Sequence, residues 1–437
     1  MNKAIIRTLF ILLLIPACSL SNKTGIWKDD KTINKENLKA NNSETKELFK
    51  AEIAIREELN SSLKINLKDI FNKKKINLSN NVGRYDFDEI IASKTKYKFS
   101  KINDFNQNEP QPIFYEEDLI FFNNKGSVIR FNYSRDAVWK FNHYTKEEKR
   151  ANPFLFMANK NNILIVADNI SKVYAINIKS GNLLWANNNS SPFNSEIKIY
   201  RDRFFVMDYE NILHCYSLKD GKELWSFKTE NVLIKSQKRL SIIIEDNVIY
   251  FNNSIGDITA LDSEKGELIW QLPTQNNNIY AQSFSLKISD LVNYKKSIYF
   301  SNNKNEFFSV NSKNGLLNWK QKINSFIRPV VLEDVIITFS MEGFLIFINR
   351  MSGNIIKITD VFKVFKEKKR TNIFPVGFVV GAKNIFLTTT NGRLLIIDIK
   401  TGANIDIIKI DGEKISKPFI NKNKLFIIKD KAIIRFD

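Results

Sequence analysis

The stretch "YAINIKSGNLLW", residues 174–185, decides the fold, because close variants of it recur along the chain. The best copies join an alternating apolar run to a turn with a glycine and end on a tryptophan. The copies lie at 130–139, 175–185, 215–225, 260–270, 309–319, 347–357 and 396–406, and a half-copy ends the chain at Asp437. Their spacing of 38 to 49 residues predicts an all-β, eight-bladed propeller, since the coils of a β-solenoid are usually much shorter.

Each repeat has the composition of one four-stranded antiparallel blade. A run rich in β-branched and aromatic residues, such as "NNILIVAD" at 161–168, is typical of a second strand. The first half of the copy is then the third strand, and the residues after the glycine form the outer, fourth strand. The glycines expected to supply the positive φ of this hairpin are Gly181, Gly221, Gly266, Gly315, Gly353 and Gly402.

The recurring tryptophan has a predicted structural role. Leu183 and Trp185 lie two residues apart in a strand, so they are expected to point to the same sheet face. An indole on that face can pack into the crevice between adjacent blades. We expect this role for Trp139, Trp185, Trp225, Trp270 and Trp319. The alternative, an aromatic ligand-stacking site, is disfavoured because outer strands lie far from the central channel.

The eighth blade is incomplete at the end of the chain. The runs "KLFIIKD" and "KAIIRFD" supply strands up to Asp437, and the outer strand must come from elsewhere. The alternating run at 95–102 lies just ahead of the first blade and is the candidate. We therefore predict a propeller domain at 93–437 that is closed by this strand.

The first 17 residues have the pattern of a secretory signal peptide. Lys3 and Arg7 precede an apolar run from Leu9 to Ile15. The following "LIPAC" resembles a bacterial lipobox, which implies signal cleavage before Cys18 and an acyl (palmitate-type) lipid anchor on that cysteine. Ser19 rather than aspartate follows it, and this resemblance then implies the outer membrane. The alternative is an ordinary signal peptide that is cleaved elsewhere.

Residues 18–92 are polar and charged, and two interpretations stay open. An apolar stripe through "KELFKAEIAIREEL" allows a helix at 44–59. The favoured interpretation is a partly helical, lipid-anchored tether. The alternative is a segment that docks onto the propeller or onto a partner.

The charge and the cysteine and histidine content exclude several function classes. The net charge is +19, but the lysines are scattered, and the densest runs, at 72–75 and 366–370, are typical of solvated loops. With an export signal present, no nucleic-acid partner is expected.

Cys215 is predicted to be a small buried core residue. His143 and His214 are the only histidines, too few for a metal cluster, and His214 is expected in the core, so no metal site is predicted.

The repeat resembles the tryptophan-docking motif of quinoprotein (PQQ-like) propellers, A-x-D-x-x-[TS]-G-x-x-x-W. Ala260, Asp262, Gly266 and Trp270 fit that pattern. With the lipobox in front, the whole chain resembles the BamB family of lipoproteins of the outer-membrane β-barrel assembly machinery. The resemblance implies a non-enzymatic adaptor that faces the periplasm without a cofactor. It also implies docking on the periplasmic domains of the central, BamA-like assembly protein, with unfolded outer-membrane proteins as further candidate partners.

The resemblance also implies a partner-binding loop after the third blade's tryptophan. In this family the loop carries two aliphatic residues and then an arginine, and Val232, Ile234 and Lys235 match that pattern with lysine in place of arginine. The family's following Gly-Glu pair is absent. The alternative is an ordinary connection between blades.

Two other function classes remain as alternatives. A quinone-cofactor dehydrogenase would resemble this chain in fold, but the sequence has no adjacent cysteine pair and no C-x-x-C-H motif. Asp262 and Asp398 stand at turn positions, where a hairpin-stabilising role is expected rather than catalysis. A periplasmic ligand-binding or sensor propeller is the second alternative.

Overall fold

The computed structural model describes residues 58–59, 76–87, 93–102, 109–230, 238–274 and 287–437. These residues belong to one compact unit, Ile53–Asp437. Their strands form eight four-stranded sheets in which every strand pair is antiparallel. The predicted eight-bladed β-propeller is therefore confirmed.

The strand bounds follow the repeats. The first strand, Lys94–Lys98 (β1), precedes blade one. Blades one to four comprise Ile113–Tyr115 (β2), Asp118–Phe122 (β3), Val128–Phe131 (β4), Ala137–Phe141 (β5), Leu155–Lys160 (β6), Ile163–Asp168 (β7), Lys172–Asn177 (β8), Leu183–Asn188 (β9), Lys198–Tyr200 (β10), Arg203–Met207 (β11), Ile212–Ser217 (β12), Glu223–Lys228 (β13), Ile242–Glu245 (β14), Val248–Asn252 (β15), Ile258–Asp262 (β16) and Leu268–Leu272 (β17).

The second half of the propeller continues the same pattern. Blades five to eight comprise Val292–Tyr294 (β18), Ser297–Asn302 (β19), Glu306–Asn311 (β20), Leu317–Gln321 (β21), Val330–Leu332 (β22), Val335–Phe339 (β23), Phe344–Asn349 (β24), Ile355–Asp360 (β25), Pro375–Val380 (β26), Asn384–Thr389 (β27), Arg393–Asp398 (β28), Asn404–Lys409 (β29), Phe419–Asn421 (β30), Lys424–Lys429 (β31) and Ala432–Phe436 (β32). Short helices connect blades: Lys146–Arg150, the 3₁₀ turn Val361–Val364, and Glu367–Arg370.

The hydrophobic core lies between the inner three strands of neighbouring blades. Second strands such as β7 are buried along nearly their whole length, whereas the fourth strand β9 is exposed or half-buried. The first strands of several adjacent blades contact one another, for example β10 with β6 and β14. They therefore surround the centre of the ring and define the channel.

A β-bulge changes the expected arrangement of the outer strand. In blade two, Trp185 pairs with Ala175 and Leu183 pairs with Ile176, so Leu184 is an extra residue. The bulge interrupts the alternation of side chains. Leu183 is 39% exposed, so the prediction that it shares the buried face of Trp185 is wrong. Bulges at the corresponding position occur in blades one to seven.

Each motif tryptophan lies over the turn glycine of the following blade. The Trp185 indole Nε1 donates to the carbonyl of Leu218 at 3.2 Å, and a Cβ on Gly221 would be 2.4 Å from the indole Cε3. The indole thus packs where only glycine leaves room. The pairs are Trp139–Gly181, Trp185–Gly221, Trp225–Gly266, Trp270–Gly315 and Trp319–Gly353.

The junction of blades six and seven lacks a tryptophan. Thr359 takes its place against Gly402, whose added Cβ would be 2.6 Å from the threonine Oγ1. Gly402 keeps the positive φ of the other turn glycines, +76°. The turn at Gly402 therefore has the same backbone conformation, although a threonine stands where the other junctions have an indole.

The N-terminal side of the domain supplies the outer strand of blade eight. β1 pairs antiparallel with β32, from Lys94 opposite Phe436 to Lys98 opposite Ala432. It is shorter than the expected 95–102. Tyr97 points into the core, and its hydroxyl accepts a hydrogen bond from Arg435 Nη1 at 2.7 Å. The first and last strands of the domain thus share one sheet.

Candidate functional site

The ends of the loop after Trp225 are fixed on the propeller. Val232, Ile234 and Lys235 lie outside the described residues. On one side, the backbone N–H and the hydroxyl of Thr229 both donate to the carbonyl of Asn211 at 3.1 Å. On the other side, Lys238 Nζ donates to the carbonyls of Ile288 and Phe326 at 2.8 Å. The chain therefore leaves blade three and enters blade four at fixed points on the face that carries the turns between second and third strands.

Charged side chains at the start of first strands line the central channel. Four of them stand two residues before a first strand, one each in blades three, five, six and eight: Glu196, Asp290, Arg328 and Lys417. Arg239, just before β14, and Lys198, the first residue of β10, complete the group.

Serine hydroxyls fix the backbone that carries three of these charges. Ser195 and Ser416 precede Glu196 and Lys417, and each accepts a hydrogen bond from a backbone N–H of its blade's second strand, at 2.7 and 2.9 Å. Ser289 makes the same bond before Asp290, at 2.9 Å. These bonds connect the residues just before each first strand to the second strand of the same blade.

The channel charges form a connected network. Arg239 Nη2 lies 3.2 Å from Asp290 Oδ2, and its Nη1 lies 3.8 Å from Glu196 Oε2. Lys198 Nζ is 3.4 Å from the same Glu196 oxygen, and Lys417 Nζ is 3.9 Å from Asp290 Oδ2. Arg239 and the other cations that surround Asp290 hold the pKa of its carboxyl far below the usual range despite burial. Both carboxylates are thus shared between two cations.

Residues 76–87 cross one end of this channel. The carbonyls of Ser79 and Asn80 accept hydrogen bonds from Ile244 in blade four and Asn293 in blade five. Further on, the Tyr85 N–H donates to Val380 of blade seven. Leu59 also pairs with Ile358 on the outer strand of blade six. Backbone groups of these residues are therefore hydrogen-bonded to the blades, which is what the docking alternative expects for this part of 18–92. The partly helical, lipid-anchored tether stays a prediction.

The other mouth of the channel is basic and partly aromatic. A cavity of about 480 Å³ there is lined by Lys238, Lys287, Lys414, Phe326 and Glu109, among others. Lys287 Nζ lies 4.9 Å from the centre of the Phe326 ring, at cation–π distance. This mouth adjoins the point where the chain returns from the loop after Trp225.

Comparison with known proteins assigns the chain to a family. The sequence model of the family described as "Outer membrane protein assembly factor BamB" matches residues 124–359, more than half of the chain. The chain belongs to the BamB family. The matched range begins in blade one and ends in blade six, so it contains all five docking tryptophans.

The curated BamB relatives are distant. The protein of Legionella pneumophila is 23% identical over 155 residues, which are 35% of this chain and 35% of the relative. The protein of Shewanella oneidensis is 20% identical over 281 residues, 54% of this chain and 69% of the relative. The match thus spans about a third of the length of the Legionella pneumophila protein.

Solved structures show the same fold. BamB from Moraxella catarrhalis superposes with a TM-score of 0.64 at 13% identity, covering 80% of this chain and 99% of that one. A quinohemoprotein alcohol dehydrogenase from Pseudomonas putida superposes with a TM-score of 0.57 at 11% identity, covering 78% and 75%. At these identities the likeness concerns the propeller alone, which BamB proteins share with enzymes.

The polar residues of the repeats make contacts that stabilise turns or lie in the core. Asp262 Oδ1 accepts from the backbone N–H groups of Glu264 and Lys265 at 2.8 Å, and Asp398 supports its turn in the same way. His214 is buried, with Nε2 3.1 Å from Asp208 Oδ2. Burial raises the pKa of the Cys215 thiol to about 12, so the thiol stays protonated at neutral pH.

Neither a metal site nor a membrane-spanning helix is present in the described ranges. Those ranges contain no group of three or more histidine, cysteine or acidic side chains placed to hold a metal ion. They also contain no helix with the length and hydropathy needed to cross a membrane. The proposed lipid anchor, Cys18, lies outside the described residues, as does most of the helix expected at 44–59.

Replacing Lys417 with methionine is expected to stabilise the propeller at neutral pH. Burial, followed by repulsion from Arg328, lowers the pKa of Lys417 to about 8, from 10.5. The unfolded chain therefore binds this proton more tightly, and Lys417 makes stability rise as pH increases from about 8 to 10.5. K417M removes that rise and should add roughly 1–3 kcal/mol at pH 7.5.

Urea unfolding at pH 7.5, 9 and 10.5 measures this effect. Lys265, which is 70% exposed in a turn of blade four, provides the control K265M, with stability unchanged at each pH. A K417M protein that is less stable than the parent at pH 7.5 would show that the ion pair with Asp290 outweighs the cost of burial.

The channel charges were not predicted from the sequence. The sequence shows dense lysine runs, whereas the channel cations are single residues that lie one or two blades apart. A usable signal was present: a charged residue two positions before the first strand of blades three, five, six and eight. Unless the start of each first strand is known, these positions cannot be distinguished from other charged loop residues.

Proposed function

We propose that this protein is a non-enzymatic adaptor of outer-membrane β-barrel assembly. It is anchored in the outer membrane by lipid on Cys18, faces the periplasm, and docks on the periplasmic domains of a BamA-like assembly protein. The observation that supports it is the match of residues 124–359 to a family described as an outer membrane protein assembly factor. The proposal assigns no catalytic residue and no cofactor.

The docking element in this proposal is the loop that carries Val232, Ile234 and Lys235. Its support is the position of its two ends, since Thr229 and Lys238 are both hydrogen-bonded to the same face of the ring. Two aliphatic side chains beside a cation suit a partner surface with an apolar depression and an acidic rim. Lysine supplies the charge but not the planar fork of arginine, so this contact depends less on bidentate geometry.

The lipid anchor gives the adaptor a second physical role. Attachment at Cys18 confines the propeller to the membrane surface where the assembly protein resides. Binding then becomes an effectively intramolecular event with a raised local concentration, so a small docking loop is sufficient. Loss of the anchor should weaken the association without altering the loop.

Crosslinking in native membranes tests the docking loop. The triple variant V232A/I234A/K235A should reduce the crosslinked BamA-like protein at least tenfold relative to the parent. A matched control is V364A/K368A/K369A in the connection after blade six, where Val364 is exposed and both lysines lie on a short helix. Its crosslinking should equal that of the parent.

Two outcomes would contradict the proposal. Equal capture by both triple variants would remove the loop from the interface. No capture of the assembly protein by a folded, membrane-bound parent protein would remove the adaptor role itself.

A further inference from the structure

One cavity in the channel is lined by positively charged side chains from four blades. Its volume is about 440 Å³, and its lining includes Lys198, Arg239, Arg328 and Lys417. These residues come from blades three, four, six and eight, so the fold brings them together from positions up to 219 residues apart. Such convergence of one sign of charge in a partly enclosed space is unfavourable unless anions balance it.

The carboxylates of the cavity do not balance these cations. Glu196 is shared by Lys198 and Arg239, and Asp290 is shared by Arg239 and Lys417. Glu109 also lines the cavity. Arg328 has no carboxylate within ion-pair distance in the described part of the chain. Its hydrogen-bond partner is the side-chain oxygen of Asn81, at 3.5 Å.

The cations repel one another across the cavity. Repulsion from Arg328 lowers the pKa of Lys417 more than Asp290 raises it, after the larger effect of burial. Burial likewise lowers the pKa of Lys198, where Glu196 opposes the effect and Arg328 and Arg239 add to it. An anion bound between these cations would reduce their mutual repulsion, and this reduction favours anion binding.

Residues 76–87 close the cavity on one side. Asn81 Nδ2 donates to the carbonyl of Leu291, and Asn81 Oδ1 accepts from Lys198 Nζ at 3.1 Å. The carbonyl of Leu78 accepts a second bond from Lys198 Nζ. This segment therefore orients Lys198 and restricts the space to a small ligand rather than a protein segment.

We propose that this cavity binds a phosphate group, held by Arg328, Lys417, Arg239 and Lys198. A phosphate carries up to two charges and presents oxygens in several directions, so it can meet cations from four blades at once. The planar fork of Arg328, which has no carboxylate partner among the described residues, suits bidentate contact with phosphate oxygens. The group comes either from free phosphate or its esters, or from a phospholipid headgroup. This inference is independent of the proposed docking loop.

Isothermal titration of the full-length protein with inorganic phosphate tests the site, at constant ionic strength. We expect saturable one-to-one binding that R328Q weakens at least tenfold. Arg150, exposed at the end of the short helix Lys146–Arg150 and outside both cavities, gives the matched control R150Q, with the affinity of the parent. If R328Q does not fold, K417M provides the second test, with the same loss expected.

The outcomes separate the site from its ligand source. Absence of saturable binding up to 10 mM phosphate, or equal affinity in the parent, R328Q and K417M, would overturn the proposal. A titration with short-chain phosphatidic acid below its micelle concentration distinguishes the sources. Binding tighter than that of phosphate and lost in R328Q indicates a lipid headgroup, whereas binding no tighter than phosphate and lost in R328Q indicates a free phosphate ligand.

Discussion

Replacing Tyr97 with alanine is expected to lower the free energy of unfolding by about 3–5 kcal/mol. Tyr97 is 1% exposed in β1, its ring centre lies 5.9 Å from that of Phe131, and its hydroxyl accepts from Arg435. The substitution leaves a cavity between blades eight and one and removes a partner of a buried guanidinium. The same strand holds the two ends of the domain in one sheet, so a local loss should unfold the ring cooperatively.

Chemical unfolding followed by tryptophan fluorescence measures this effect. Lys96 lies one residue before Tyr97 in the same strand and is exposed, which makes K96A a matched control. Its stability should stay within about 0.5 kcal/mol of the parent. A Y97A protein as stable as K96A would show that β1 contributes little to closure of the propeller.

Replacing Gly221 with alanine is expected to cost about 2–4 kcal/mol through strain and overpacking. Gly221 has φ +71°, and an added Cβ would lie 2.4 Å from Trp185 Cε3 and 2.7 Å from Asn187 Nδ2. The indole cannot shift freely, because it stacks on Phe204 with 5.9 Å between ring centres and donates to Leu218. The junction of blades two and three should therefore loosen.

Thermal unfolding with a matched glycine variant tests this contact. A Cβ on Gly412 would have no atom within 4 Å, so G412A should leave the melting temperature almost unchanged. The double variant G221A/W185A should lose less stability than the sum of the losses in G221A and W185A, because without the indole the added Cβ no longer clashes. Equal melting temperatures for G221A and G412A would refute the structural role of the tryptophan–glycine pair.

The sequence predicted the fold well because every blade repeats the same local chemistry. The turn glycines, the β-branched second strands and the missing fourth strand of the last blade were all visible in the order of residues. Side-chain direction in the outer strand was predicted wrongly for Leu183. A bulge inserts one residue between the glycine and the tryptophan, and strict alternation does not anticipate it.

The candidate sites were less accessible to sequence reasoning. The docking loop was found only through resemblance to a family, and it stays a proposal. The contacts of residues 76–87 with blades four, five and seven could not be predicted, because that stretch is polar and has no strand pattern. Its hydrogen bonds come from backbone groups, which any sequence provides.

By itself the sequence determined the number of blades, their strand order and the glycine at each tight turn. These properties depend on interactions between residues close in the chain, which a repeat displays openly. Only the tertiary structure decided that Lys198, Arg239, Arg328 and Lys417 surround one cavity, and that residues 76–87 are hydrogen-bonded to blades four, five and seven. Closure of the ring brings residues from distant blades to one axis, and the strength of a charge interaction depends on distance and burial rather than on sequence separation.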